Sequence, residues 1–115
     1  MTDATDLARA YYDAIDAGDY DRFEALLAPD IVHERPDRTI EGRETLVGFM
    51  RDDRPNTDTS HEIGAVYADD PGAEVAVRGR LRDADGAPMF AFVDVFEFGS
   101  GSGDETITRI RTYTQ

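Results

Sequence analysis

The chain has 115 residues, with 25 Asp and Glu against 12 cationic residues and a formal charge of −13. That length fits one domain spanning 1–115, and so negative a field argues against nucleic acid or an anionic membrane surface as a partner. Cysteine is absent, which excludes disulfides, thiolate metal sites and a cysteine nucleophile. The first segment has a helical period. Leu7, Tyr11, Ala14 and Ile15 share one face, Thr2, Asp3 or Thr5 can cap it, and Ala17-Gly18 ends it. Asp19 caps a short second helix whose apolar face is Tyr20, Phe23, Leu26 and Leu27, and Pro29 stops it. Residues 31–35 alternate as a strand that Pro36 closes. Gly42 precedes a third helix that buries Leu46, Val47, Phe49 and Met50 and ends near Asp53. Strands follow over 60–68, 73–83, 88–98 and 105–114. They are separated by Asp69-Asp70-Pro71-Gly72, by Ala84-Asp85-Gly86, and by the Gly/Ser loop 99–103. Helices first and a strand meander after predict an α+β fold, a curved antiparallel sheet with helices on one face.

Several stretches resemble the NTF2-like superfamily. They are Tyr11-Tyr12-Asp13-Ala14-Ile15-Asp16-Ala17-Gly18-Asp19, the run from Leu26 to His33, Gly42-Arg43-Glu44, and the closing stretch Asp94-Val95-Phe96-Glu97-Phe98 with Ile107 and Tyr113. The set keeps its order over nearly the whole chain and is most similar to the SnoaL-like and ketosteroid-isomerase-like branches. The resemblance implies a cone: a sheet wrapped around the N-terminal helix, with two further helices and a pocket at one end. Such a fold does not fix an activity, so the pocket residues must decide.

In the isomerase branch a tyrosine and an aspartate donate hydrogen bonds to the substrate oxygen, and a second aspartate moves the proton. The resemblance carries the first two onto Tyr11 and Asp94, but the proton-moving position holds Arg35. Two supporting tyrosines of that branch fall at Leu27 and Met50, which donate nothing. A guanidinium beside Asp94 lowers its pKa and keeps it ionised. Steroid isomerisation is therefore set aside. His33 shares a strand face with Arg35, so His33, Arg35, Asp94 and Tyr11 are expected at the cavity mouth. Some superfamily epoxide hydrolases use an Asp-Arg-Asp relay, of which Asp94 and Arg35 supply two members. In the cyclase branch a pocket aspartate is the acid/base, and Asp94 suits that role. Phe90 and Phe92, with Ile110 and Thr112 from the last strand and Phe49 and Met50 from the third helix, are expected to line the pocket. Largely apolar walls with few polar groups suit a small organic ligand. The same residues also permit a plainer account, in which Asp94 and Arg35 form a structural ion pair and Tyr11 is core.

His61 and Glu62 are neighbours on a strand and face opposite sides, so they form no dyad. Two histidines without ligand spacing predict no metal site, and no phosphate-binding loop opens a helix, so no cofactor is expected. Arg78, Arg80 and Arg82 share one strand face, as do Arg109 and Arg111; such rows can bind an anion, but pairing with acids on neighbouring strands is the expected account. Ala91, Val93 and Val95 make the other sheet face apolar, which predicts a homodimer through that face. Acid spread along the whole chain, with arginine the sole strong cation, resembles the composition of salt-in halophiles. Without a leader-like N-terminus or a run of about 18 apolar residues, the expected compartment is the cytoplasm. Two functions follow. One is a pocket protein that binds or transforms a small apolar molecule by cofactor-independent acid/base chemistry of isomerase, cyclase or hydrolase type. The other is a non-catalytic module with a vestigial pocket.

Overall fold

The computed structural model describes residues 4–53, 59–68, 74–100 and 105–114. Helix α1 (Ala4–Ala17) buries Leu7, Ala8, Tyr11, Tyr12, Ala14 and Ile15 and leaves its aspartates outward. Gly18 ends it at φ 68°, a left-handed turn that a side chain resists. Asp19 then accepts a hydrogen bond from the Arg22 backbone and caps α2 (Tyr20–Ala25). Helix α3 (Arg43–Gly48) runs on into a π-helical turn, Phe49–Asp53. Thr2, Asp3 and the expected turn at 69–72 lie outside the described residues, as do 101–104 of the Gly/Ser loop. No helix among the described residues is long and apolar enough to cross a membrane.

Six strands form one sheet in the order β2-β1-β6-β5-β4-β3. They are β1 (Leu27–Glu34), β2 (Thr39–Glu41), β3 (Ser60–Ala68), β4 (Glu74–Arg82), β5 (Pro88–Ser100) and β6 (Glu105–Thr114). The sheet is mixed rather than wholly antiparallel, because β1 runs parallel to β6. A parallel pair needs a long connection, and everything from α3 to β5 supplies it.

Two details around Pro29 differ from expectation. Helix α2 already ends at Ala25, and Leu27, Ala28 and Pro29 belong to β1. The ladder to β6 shifts register between Leu27 and Val32, so the N–H that Pro29 lacks falls in a gap of the pairing. The chain then turns at Arg35, whose N–H donates to the Arg38 carbonyl, and adds the short edge strand β2. Only Ile40 of β2 is buried, too little pattern to mark a strand in sequence.

The core lies between α1 and the inner sheet face. Tyr11 packs against Phe23 and Phe96 with ring centroids 5.4 and 5.2 Å apart. Phe23, Phe96, Ile107 and Ile110 are fully buried. Gly79 on β4 is required by its neighbours. A Cβ there would run into the Glu62 carbonyl oxygen and lie 2.9 Å from Phe92 Cζ. Its missing side chain lets the Phe92 ring, its register partner on β5, lie across β4.

On the outer face the arginines divide. Glu34 Oε2 accepts from Arg109 Nη1 at 3.1 Å and Arg111 Nε at 2.9 Å, and Glu97 accepts from Arg111 Nη1 at 2.8 Å. Those two arginines hold the Glu34 carboxyl below the usual range. Arg82 pairs with Glu62 at 2.8 Å. Arg78 and Arg80 have no ion-pair partner among the described residues, contrary to expectation.

Candidate active site

Asp94 lies on the inner face of β5, where alternation with Phe92 and Phe96 points it at α1. It is a carboxyl only 7 % exposed. Two hydroxyls hold it. Tyr12 Oη donates to Oδ2 at 2.7 Å, and Thr112 Oγ1 donates to Oδ1 at 2.5 Å from the register-paired position on β6. Burial nevertheless raises its pKa, outweighing both hydrogen bonds and the charges of His61 and Arg35. The expectation that Arg35 keeps this group ionised at a lowered pKa is therefore corrected. Arg35 does reach the cavity wall, but it makes no ion pair with Asp94. Its guanidinium lies 5.1 Å from the Phe49 ring centroid, and its Nε is 3.9 Å from Asp37 Oδ1. That Nε is buried without a hydrogen-bond partner among the described residues.

His33 on β1 is 2 % exposed. Its Nε2 lies 2.8 Å from Thr112 Oγ1. Because Thr112 gives its proton to Asp94, its oxygen accepts, and the donor is His33 Nε2–H. Nδ1 is then a bare acceptor, buried without a partner among the described residues. Burial, with Arg35 adding repulsion, lowers the His33 pKa to about 3, so the ring is neutral at physiological pH. The result is a chain of hydrogen bonds, His33 to Thr112 to Asp94, met from the other side by Tyr12.

His33, Thr112 and Asp94 border a cavity of about 220 Å³, with Tyr12 behind its wall. Its wall includes Tyr11, His33, Arg35 and Asp94, the four residues expected at the mouth. Met50, Phe90, Phe92 and Thr112 of the expected apolar lining are there too. Phe49 and Ile110 are not. Phe49 is instead the platform under Arg35, and Ile110 is sealed in the core behind His33.

Sequence reasoning missed three contributors. Tyr12, not Tyr11, holds Asp94, and burial with the Asp94 charge raises its phenol pKa. Thr59 lines the wall just before β3. His61 lines it from the start of β3, with its Nδ1 2.6 Å from Asp16 Oδ1. The heptapeptide from Tyr11 to Ala17 held both Tyr12 and Asp16, but no local pattern marks which side chain reaches a distant strand.

A family model for SnoaL-like domains matches residues 8–110. The chain belongs to the SnoaL-like family. Solved structures place this SnoaL-like chain in the NTF2-like cone fold. An NTF2-like protein of unknown function from Cytophaga hutchinsonii aligns over 100 % of the chain and 92 % of its own, with TM-score 0.80 and 15 % identity. A Kribbella flavida protein provisionally assigned as a ketosteroid isomerase is 26 % identical at TM-score 0.75, covering 97 % of this chain and 77 % of its own. An LEH-like epoxide hydrolase of M. tuberculosis is 25 % identical at TM-score 0.78, covering 97 % and 78 %. Among curated proteins, none matches the SnoaL-like chain in sequence.

Proposed function

We propose that this SnoaL-like protein transforms a small, compact, largely apolar organic molecule by cofactor-independent acid/base chemistry, with Asp94 as its acid. One observation carries the reading: a buried carboxyl with a raised pKa borders a mainly apolar cavity, steadied by two hydroxyl donors. A protonated Asp94 gives its proton to a substrate oxygen, and Tyr12 and Thr112 stabilise the carboxylate left behind. His33 Nδ1 on β1 and Arg35 Nε–H just past its end are an acceptor and a donor without hydrogen-bond partners among the described residues, available to polar groups of the ligand. The similarity to an isomerase-assigned protein and an epoxide hydrolase supports chemistry of this general kind. About 220 Å³ is below the roughly 300–1,000 Å³ of drug-sized ligand sites. The ligand is accordingly small, and steroid isomerisation is disfavoured on size as well as on Arg35.

The test is a thermal-shift screen of small carbonyl compounds, epoxides and alcohols in molar KCl, repeated with Asp94→Asn and Tyr12→Phe. Hits weakened in both variants support the reading. An absence of hits, with both variants as stable as the parent, favours a non-catalytic module with a vestigial pocket. The same reading includes a homodimer through the outer sheet face and a salt-rich cytoplasm as the setting. Exposed Tyr67 and Tyr113, at 55 % and 57 %, with Val93 between β4 and β6, support the dimer.

A further inference from the structure

Arg35 and His33 each bring an unsatisfied polar atom to the same cavity wall. His33 is 2 % exposed, and its Nδ1 is an acceptor without a partner among the described residues. Arg35 Nε–H is a buried donor in the same condition. Asp37 Oδ1 lies 3.9 Å away, too far for a hydrogen bond, and Asp37 Oδ2 is taken by Arg38 Nε at 3.2 Å. Arg35 and Arg38 both flank the Phe49 ring, 5.1 and 5.0 Å from its centroid, so two guanidiniums share the one exposed carboxylate of Asp37. Asp94 is the one carboxyl on the cavity wall among the described residues, and burial favours its neutral form. His61 on the same wall is already matched by Asp16, 2.6 Å away. Arg35 thus leaves this wall with a positive charge that no described acid meets at hydrogen-bond distance. Beyond it the wall is mainly apolar, with Ile15, Met50, Leu81, Met89, Phe90 and Phe92, of which Met89 and Phe90 are left exposed.

We infer that the cavity takes a small hydroxy acid with an apolar body, its carboxylate on Arg35 and its hydroxyl on His33 Nδ1. The inference rests on the cavity being the ligand site proposed above, and it does not require Asp94 to act as an acid. A carboxylate answers Arg35 in charge and in shape, because its two oxygens match the planar fork of a guanidinium. It has no proton to give, so it leaves His33 Nδ1 unsatisfied, and that atom needs a separate donor on the ligand. An ammonium also donates, but Arg35 repels it and its burial is costly. A hydroxyl carries neither penalty. His33 and Arg35 are two positions apart in the chain, so the hydroxyl and the carboxylate are close together in the ligand. The apolar body then lies against Met89, Phe90 and Phe92, and a neutral Asp94 does not oppose the anion.

The experiment is calorimetric titration in molar KCl with three probes: racemic mandelate, phenylacetate, which lacks the hydroxyl, and phenylethylene glycol, which lacks the charge. The imidazole nitrogen resonances of His33 are followed by NMR in the same samples. The parent protein is expected to bind mandelate about 10–100-fold more tightly than phenylethylene glycol. Arg35→Met is expected to erase that preference while keeping its affinity for the glycol, and Arg35→Lys to restore part of it. Mandelate is expected to shift the His33 Nδ1 resonance upfield, as an acceptor gaining a hydrogen bond does, and phenylacetate to leave it in place. A folded Arg35→Met that still prefers mandelate overturns the carboxylate assignment. A parent that binds the glycol and not mandelate overturns it too, and keeps the cavity as a ligand site. A His33 resonance that mandelate does not move overturns the hydroxyl assignment. No binding of any of the three overturns the inference, and hits in the screen of neutral compounds above then still support the acid/base pocket, so the two failures are told apart.

Discussion

Tyr12 and Asp94 lie 82 residues apart in the chain, yet Tyr12 Oη donates a 2.7 Å hydrogen bond to Asp94 Oδ2 inside the core. This bond lowers the carboxyl pKa, while burial raises it and prevails. Tyr12→Phe keeps the ring and removes the donor. The Asp94 titration, followed by carboxyl carbon NMR, is expected to move further upward in that variant. Stability at neutral pH falls by about 1–3 kcal/mol, the cost of a buried group losing its partner. A titration that moves down shows that the hydroxyl is not what steadies the carboxylate.

His33 makes a pH prediction of opposite sense. Its pKa falls from 6.5 unfolded to about 3 folded, so the fold favours the neutral ring. Its stabilisation is therefore complete above pH 6.5 and is lost as pH falls towards 3, where the unfolded chain binds a proton and the folded one does not. At 1.36 kcal/mol per unit, the loss is on the order of 4–5 kcal/mol. His33→Gln can still donate to Thr112 but does not titrate. Its urea-unfolding free energy is expected to fall less steeply between pH 6.5 and 3 than that of the parent. Parallel pH profiles for the two proteins contradict this account.

Two glycines give a paired test of packing. Gly79→Ala drives a Cβ into the Glu62 carbonyl and the Phe92 ring, and is expected to cost about 1–3 kcal/mol. Gly48, at the end of α3, has no atom within 4 Å of a built Cβ. Gly48→Ala is expected to stabilise by about 0.4–1 kcal/mol through the unfolded chain. Thermal melts of the two variants should move in opposite directions.

The outer face yields the fourth prediction. In molar KCl, where the Debye length is about 3 Å, the −13 charge no longer opposes association. Light scattering at micromolar concentration is expected to give a dimer mass, and Val93→Asp a monomer mass. A parent protein that is monomeric in molar KCl excludes the sheet-face dimer.

Periodicity made the helices and long strands legible, because one buried face per element leaves a regular trace. Ile31 to Arg35 read as a strand for that reason, and its neighbour β2 did not, having one buried residue. Within the site, Asp94 stood out as a carboxylate in a run of aromatic and β-branched residues. Choosing between Tyr11 and Tyr12 was beyond the pattern. Both are 2 % exposed, since the buried face of α1 is wide enough to take adjacent residues. The bond between Asp16 and His61 depends on where the end of α1 docks on β3, a matter of tertiary packing. Arg35 was expected to answer Asp94 by charge alone. The turn at Pro36 instead sets Asp37 and the Phe49 ring nearer to it.

The position of β6 has a consequence for how the protein is made. It lies between β1 and β5, joining the early part of the chain to the late meander, and it carries Thr112 at the centre of the hydrogen-bond chain. Until residues 105–114 leave the ribosome, His33 and Asp94 belong to two unjoined half-sheets. Nascent chains stalled before β6 should thus be open to proteases and holding chaperones, and the pocket can form only after synthesis has passed this strand.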